Sequence, residues 1–222
     1  MNHHIIIDFE FTPVTSRFVD RKKLQYEIIE IGAVKLNDDY QLIDSFSSYV
    51  HPIYSTLDEY CSFLTGITNR HLAGAPKFAG AISALYEWIG TDDFKIYEWS
   101  NSDKHQFFGE CKLKNCKDRF EVLCTKEWID LQKEFSVKSK IKSAVNLQDA
   151  LSKLNLFFEG QAHRACDDAL NTARILQIME NGNEFEERIS SSRKLEISFN
   201  TCSSTLGDLF SDKLDLLYDL AV

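Results

Sequence analysis

The chain has 222 residues, of which 44% are hydrophobic, and its formal net charge is −9 at pH 7. This length and composition allow one sizeable α/β core with room for an appendage. The acidic balance argues against a protein that coats nucleic acid by bulk electrostatic attraction. The six cysteines form no C-x-x-C pair, and we find no signal peptide and no apolar run of membrane-span length, so we expect a cytoplasmic protein with reduced thiols and no membrane partner.

The first predicted strand ends in an acidic pair. Three isoleucines run into Asp8-Phe9-Glu10-Phe11, and a continuous apolar run of this kind is typical of a strand that is covered on both faces. Because side chains alternate along a strand, Asp8 and Glu10 share one face, roughly 6.6 Å apart along the chain. A bound cation such as Mg²⁺ would remove the cost of placing these carboxylates beside a core strand. The alternative is a strand that simply ends in an acidic loop.

The hydrophobic pattern predicts five strands separated by helices. The strands cover residues 5–11, 26–36, 42–50, 94–100 and 120–124. The helices cover residues 57–64, 78–89, 104–116, 128–135, 146–158 and about 168–180. Short turns join the first three strands, which indicates an antiparallel meander.

Other charged residues have more than one interpretation. Glu27 and Glu30 lie in the second predicted strand, and we interpret both as edge or loop contacts. Three basic clusters are equally well explained as solvated faces or as phosphate contacts. They are Arg21 to Lys23; Lys112, Lys114, Lys117 and Arg119; and Lys133, Lys138, Lys140 and Lys142.

The end of the chain differs in composition from the rest. Residues 184–200 are polar and ambiguous, whereas residues 206–220 predict an amphipathic helix. Its apolar side is expected to pack on the parent domain, and a homodimer contact is the minority alternative. We therefore predict a domain over residues 1–182 and a C-terminal extension, a polar linker plus a helix, over residues 183–222.

Two later segments carry groups that can join the acidic pair. Asp103 follows the fourth predicted strand, and ligands gather at the carboxyl ends of strands in α/β sheets. Within one helix, the five residues from His163 to Asp168 would turn the chain by roughly 500°, so the two side chains would not face the same way. We therefore place His163 on the loop before the helix and Asp168 in its first turn, with Asp167 as the N-cap. Taken singly, Asp103 is better explained as an N-cap and His163 as a hydrogen-bonded loop residue.

The order of these segments resembles that of the DEDDh 3′→5′ exonucleases, which share the ribonuclease H-like fold. Asp8-Phe9-Glu10 matches the first motif of that family. Residues 99–103 are similar to the second motif, with Asp103 at the acidic position, although that motif often carries glycine where Ser100 stands. Residues 163–168 match the third motif, with His163 and Asp168 at the functional positions.

The resemblance extends to residues 27–34 and 64–67, which are similar to segments of the branch that includes the eukaryotic histone-mRNA and small-RNA exonucleases. It implies an α/β fold with a five-stranded mixed sheet, three antiparallel strands followed by two parallel ones, flanked by helices. A helical C-terminal extension would follow this domain.

The resemblance also implies two-metal phosphodiester hydrolysis. Two Mg²⁺ or Mn²⁺ ions would be held by Asp8, Glu10, Asp103 and Asp168. His163 would accept the proton of the attacking water. Because the unperturbed pKa of histidine is about 6.5, activity is expected to rise from acidic to mildly alkaline pH.

The implied substrate is single-stranded DNA or RNA with a free 3′ end, degraded to nucleoside 5′-monophosphates. Phe11 and Thr12 would meet the 3′-terminal nucleotide and Ile67 would lie against the last bases, although each has a core role as an alternative. Apolar contact tolerates any base, so we expect weak sequence preference. Three rival functions stay open: a non-catalytic nucleic-acid-binding or scaffold protein on the same fold, a phosphodiesterase for very short oligonucleotides, and a proofreading subunit.

Overall fold

A computed structural model describes residues 2–20 and 22–194 of the chain. Its strands are β1 (Asn2–Pro13), β2 (Tyr26–Leu36), β3 (Leu42–Tyr49), β4 (Asp93–Glu98) and β5 (Trp128–Asp130). They form one sheet in the order β3-β2-β1-β4-β5. The first three strands are antiparallel, whereas β4 runs parallel to β1 and β5 runs parallel to β4. The predicted mixed five-stranded sheet is confirmed.

Helices cover both faces of this sheet. They are α1 (Glu59–Thr65), α2 (Asn69–Ala73), α3 (Phe78–Ile89), α4 (Ser102–Leu113), α5 (Glu121–Thr125), α6 (Leu131–Lys138), α7 (Leu147–Lys153) and α8 (Ala165–Glu180). A 3-10 turn, Asp118–Phe120, precedes α5. Among the described helices, not one has the length and apolar character needed to cross a membrane.

The central strand explains why three isoleucines occur in succession. Successive side chains of a strand point to opposite faces. Ile5 and Ile7 therefore join the core cluster formed with α3 and α4, whereas Ile6 joins the cluster formed with α6, α7 and α8. All three are at most 1% exposed. Both faces of β1 are covered at these positions, so Asp8 and Glu10 directly follow the buried part of the strand.

The fifth strand lies later in the chain than predicted. The segment predicted as a strand over residues 120–124 forms the 3-10 turn and α5, because Phe120 and Leu123 are buried at helical spacing while Val122 is exposed. The strand is instead β5, at the start of the segment predicted as a helix, where Trp128 pairs with Ile96. Three residues are too few to show a recognisable strand pattern.

The predicted helix over residues 146–158 is shorter in the structure. Asn146 caps α7 as expected, and its side chain accepts the backbone N–H of Asp149. The helix ends at Lys153, because Asn155 adopts a left-handed backbone with φ of 53°, which asparagine tolerates better than most residues.

Residues just beyond the predicted domain boundary pack on the domain. Residues 182–194 are helical. Phe185 and Ile189 are buried, and the Phe185 ring lies edge-on to Phe135 at 5.8 Å. The division at residue 182 stays a prediction, and the predicted helix over residues 206–220 lies outside the described residues.

Candidate active site

The acidic pair of β1 is joined by a carboxylate from α4. Asp8 and Glu10 are half-buried near the end of β1. Asp103 stands in the first turn of α4, is only 4% exposed, and accepts a hydrogen bond from the backbone N–H of Phe9 at 3.1 Å. Because Phe9 separates Asp8 from Glu10, this bond holds Asp103 beside the pair.

The remaining carboxylate and the histidine come from the start of α8. Single ligand atoms of Glu10, His163 and Asp168 all lie within 4.8 Å of one another. His163 is exposed on the loop before α8, with φ of 65°, and Asp168 is half-buried in the first turn. The backbone N–H of His163 donates to Asp168 Oδ2 at 3.2 Å. The structure thus brings together all five residues that the motifs singled out.

The N-cap of α8 differs from the prediction. Arg164 is the cap residue, not Asp167. Asp167 Oδ2 instead accepts the backbone N–H of Gln161 at 2.8 Å. A Cβ on Gly160 would lie 2.4 Å from Asp167 Cγ, and Gly160 has φ of +83°. The carboxylate therefore supports the turn before His163, which residue type alone does not reveal.

Glu30 anchors the start of α8 to the sheet, a role that the sequence analysis missed. Glu30 is 1% exposed and is the cross-strand partner of Glu10. Its carboxylate accepts hydrogen bonds from Arg164 Nη2 at 2.6 Å, Arg164 Nε at 3.1 Å and the backbone N–H of Ala165 at 3.1 Å. A two-pronged arginine–carboxylate pair fixes orientation as well as charge. The available signal was an acidic residue inside an otherwise apolar strand, since a buried charge needs a partner.

Gly32 allows α8 to begin directly against β2. A Cβ at this position would lie 2.0 Å from the carbonyl carbon of Ala165. No rotation of a side chain relieves a clash with backbone, so only glycine fits while α8 stays in place. The placement of His163 and Asp168 therefore depends on this glycine.

Glu98 stabilises the start of α4 from the end of β4. Its carboxylate, 1% exposed, accepts the backbone N–H of Lys104 at 2.8 Å, and burial raises the pKa of Glu98 to about 7. In the turn between Glu98 and Lys104, Ser100 has φ of 100°, which lies in the region that favours glycine. The serine that departs from the motif therefore occupies a strained turn directly before Asp103.

Crowding of the carboxylates disfavours their ionisation. Burial, followed by the charges of Asp103 and Asp168, raises the pKa of Asp8 well above its usual value. Burial and then Asp168 raise the pKa of Glu10 to about 8, and burial raises the pKa of Asp168 to about 7. Burial, followed by the charge of Glu98, raises the pKa of Asp103 as well. A cluster of this kind fits hard divalent cations, whose charge removes the repulsion between oxygen ligands.

The predicted substrate residues differ in accessibility. Thr12 is fully buried, and its Oγ1 accepts the backbone N–H of Asp58 at 3.0 Å. Phe11 is half-buried, and its ring lies 6.5 Å from that of Tyr26, which is 44% exposed. The Tyr26 side of this aromatic pair is therefore accessible to solvent.

Ile67 fulfils the core role that the sequence left open. Its side chain is fully buried in a small cluster with Ile29 and Leu72. Direct contact with a base would require the segment between α1 and α2 to move. The substrate contacts of Phe11, Thr12 and Ile67 stay predictions.

Comparison with known proteins identifies relatives over most of the chain. A family model described as an exonuclease, RNase T, matches residues 5–176. Mouse 3′-5′ exoribonuclease 1 is 29% identical over 206 residues, covering 87% of this chain and 58% of the mouse protein. The probable 3′-5′ exonuclease KapD of Bacillus subtilis is 28% identical over 188 residues, covering 84% of this chain and 89% of KapD. The chain therefore spans just over half the length of the mammalian exoribonuclease.

Solved nuclease structures share the fold. The nuclease domain of 3′hExo, a DEDDh family member bound to rAMP, has a TM-score of 0.70 and 29% identity, covering 82% of this chain and 94% of that domain. E. coli exonuclease I in complex with dT13 has a TM-score of 0.60 at 13% identity, covering 81% of this chain and 41% of that chain, and shows likeness of fold alone. The predicted ribonuclease H-like fold is thus confirmed. The family match over residues 5–176 confirms the resemblance as well, and this chain belongs to the RNase T exonuclease family.

Proposed function

We propose that this chain is a divalent-metal-dependent 3′-5′ exonuclease. It would hydrolyse single-stranded nucleic acid from a free 3′ end and release nucleoside 5′-monophosphates. The observation that carries the proposal is the approach of Glu10, His163 and Asp168 to within 4.8 Å of one another, beside Asp8 and Asp103. The exonuclease names of the relatives support the same reaction.

The four carboxylates have the donor chemistry of a site for two Mg²⁺ or Mn²⁺ ions. Asp8, Glu10, Asp103 and Asp168 would hold the ions, and the raised pKa values of these groups mark a cluster that needs protons or cations. When bound, such ions activate water and neutralise charge on the leaving oxygen. Asp103 contributes a fixed position, because its bond to Phe9 N–H holds α4 against β1.

His163 has the position of a general base. Its ring stands beside Glu10 and Asp168, and nearby carboxylates stabilise the imidazolium that forms when the ring accepts a proton from water. The side chain is exposed, so it can pass that proton to bulk solvent. The Glu30 contacts to Arg164 and Ala165 fix the residues that directly follow His163.

RNA is the first substrate to test, because mouse, rat and human relatives carry the name 3′-5′ exoribonuclease 1. DNA is the second, because the name of the relative KapD, probable 3′-5′ exonuclease, does not specify RNA. We propose that the 3′-terminal nucleotide lies against Phe11 and the backbone at Thr12, which follow Glu10 along β1. Apolar stacking there is tolerant of base identity.

The decisive experiment is digestion of matched 5′-labelled single-stranded RNA, single-stranded DNA and duplexes, with Mg²⁺, with Mn²⁺ or with EDTA. We expect stepwise shortening from the 3′ end and release of nucleoside 5′-monophosphates with metal, and none in EDTA. The Asp103→Asn variant, which keeps an oxygen to accept the Phe9 N–H, is the inactive control. Cleavage of a circular strand at the rate of a linear one would contradict exonuclease action, and faster turnover of dinucleotides than of longer strands would favour a short-oligonucleotide phosphodiesterase.

A further inference from the structure

Two lysine clusters that are far apart in the sequence meet at one cavity. Lys22 and Lys23 follow β1, and Lys112 lies in the last turn of α4. Together with Gly109 and Leu113 they line a cavity of about 570 Å³. All three lysines are exposed. In a chain with a net charge of −9, three ammonium groups around one concave surface form a local site for anions.

Buried contacts, not the lysines, hold the walls of this cavity in place. Val14, Val19 and Leu24 form a small buried cluster against which Leu113 packs. The Leu24 side chain lies close to α4 at Gly109, where an added Cβ would be 3.5 Å from Leu24 Cδ1. Neither of these contacts involves a lysine side chain. Lys22, Lys23 and Lys112 also form no ion pair with any carboxylate in the described part of the chain.

The neighbouring Lys114 shows the contrast. Its ammonium group is paired with Glu27 at 2.9 Å and with Glu110, and its side chain is 8% exposed. Burial lowers the pKa of Lys114, but these two carboxylates outweigh it and raise the pKa overall. Glu110 also accepts the backbone N–H of Ile28 at 2.6 Å. Lys114 therefore supports the fold, whereas Lys112 is free to meet a ligand.

The cavity lies along α4 from the carboxylate site. Asp103 and Lys112 are nine residues apart on this helix, which separates them by about 13.5 Å along its axis. Between them, Gln106 donates to the backbone oxygen of Tyr26 at 2.6 Å, and the Tyr26 ring pairs with that of Phe11. Asp103 and Lys112 lie on opposite sides of the helix, because nine residues turn it by about 900°. A strand must therefore pass around α4, and with a rise of about 3.4 Å per nucleotide it needs more than four nucleotides to reach the cavity.

We propose that the cavity lined by Lys22, Lys23 and Lys112 binds backbone phosphates of the substrate strand, more than four nucleotides upstream of the 3′ end. This inference rests on the proposed function, which places that 3′ end at the carboxylates. Lysine ammonium groups bind phosphate as point charges and read no base. The site would therefore give affinity for longer strands without sequence preference.

The test compares the triple variant Lys22→Gln, Lys23→Gln, Lys112→Gln with the unaltered chain on single-stranded oligouridylate and oligothymidylate of 2, 4, 8 and 16 nucleotides. We expect KM for the 8- and 16-mers to rise about tenfold while kcat and dinucleotide turnover stay unchanged. The slope of log affinity against log salt should fall by about 0.7 for each lost phosphate contact, so by about 2 in all. Lys77→Gln, an exposed lysine outside the three basic clusters, is the matched control and should change neither quantity.

An equal change in KM at every length, or an unchanged salt slope, would overturn the proposal. Competition by inorganic phosphate as effective as that by the 16-mer would also overturn it, in favour of a site for free anions. If the unaltered chain hydrolyses no strand with Mg²⁺ or Mn²⁺, the proposed nuclease function fails by itself. In that case, equilibrium binding of a labelled 16-mer in EDTA tests the cavity separately from the nuclease function. Salt-dependent binding that is lost in the triple variant supports the phosphate site, and equal binding by both proteins refutes it.

Discussion

Glu10 of β1 and Glu30 of β2 are direct partners across the sheet, and Arg164 binds Glu30. Like charges at this spacing are destabilising unless one of them is compensated. The positive charge of Arg164 compensates the negative charge of Glu30. The pKa of Glu10 is raised to about 8, first by burial and then by the charge of Asp168. One glutamate therefore anchors the start of α8 next to His163, while the other is available to the cation that we propose.

The first prediction concerns the Arg164–Glu30 pair. Replacing Arg164 with Gln should lower the free energy of unfolding by about 3 kcal/mol, because Glu30 would remain buried without its charged partner. It should also reduce kcat more than it raises KM, since the loop that carries His163 loses its anchor. Urea unfolding and steady-state kinetics measure the two effects.

The control for this variant is an exposed ion pair. Lys126 pairs with Asp93, whose side chain is 74% exposed, so Lys126→Gln should cost much less stability than Arg164→Gln. If both variants lose equal stability, the Glu30 pair has no special role in holding α8.

The second prediction concerns Gly32. Gly32→Ala would force a Cβ to within 2.0 Å of the Ala165 backbone, so α8 must shift. We expect a loss of about 3 kcal/mol or more together with a large fall in kcat, measured by thermal unfolding and by oligonucleotide digestion. The matched control is Gly74→Ala, where an added Cβ has nothing within 4 Å. Near-normal activity of the Gly32 variant would show that the site tolerates displacement of α8.

The third prediction concerns His163, the proposed general base. His163→Asn should lower kcat by about 10²- to 10⁴-fold, because asparagine does not accept a proton. Mn²⁺ binding, measured by calorimetry, should be largely retained, since the four carboxylates are unchanged. A variant with a near-normal rate would identify another group as the base.

The fourth prediction follows from the raised pKa of Glu10, about 8 against its ordinary 4.5. The folded state holds a proton there that the unfolded state has lost, so this contribution to stability is complete below about pH 4 and disappears as the pH rises to about 8. Asp168, with a pKa of about 7, acts in the same direction. The metal-free protein should therefore have a lower Tm at pH 8 than at pH 6.

Metal binding should reverse this trend. Mg²⁺ favours the ionised carboxylates, so the difference in Tm between Mg²⁺ and EDTA should widen from pH 6 to pH 8. Glu10→Gln should raise the Tm in EDTA at pH 8 and shrink the Mg²⁺ effect. A Mg²⁺ effect that is constant over this pH range would count against a cation at Glu10.

Local patterns predicted a strand or helix correctly where the residues of that element alone show which of its sides is apolar. The isoleucines of β1, the helical spacing of α3 and the Asn146 cap are all visible in a few neighbouring residues. The same patterns failed at β5, where three residues pair with β4. They failed again at Asp167, whose carboxylate supports the turn before His163 instead of capping α8.

The sequence by itself determined the order of the motifs, the alternation that puts Asp8 and Glu10 on one face, and the family. Only the tertiary structure decided that Glu30 holds Arg164, that Gly32 faces Ala165, and that lysines ninety residues apart line one cavity. The physical reason is that periodicity records which side of an element is apolar. The partner of a buried charge, in contrast, comes from a distant segment, and only the packed sheet and helices bring the two together.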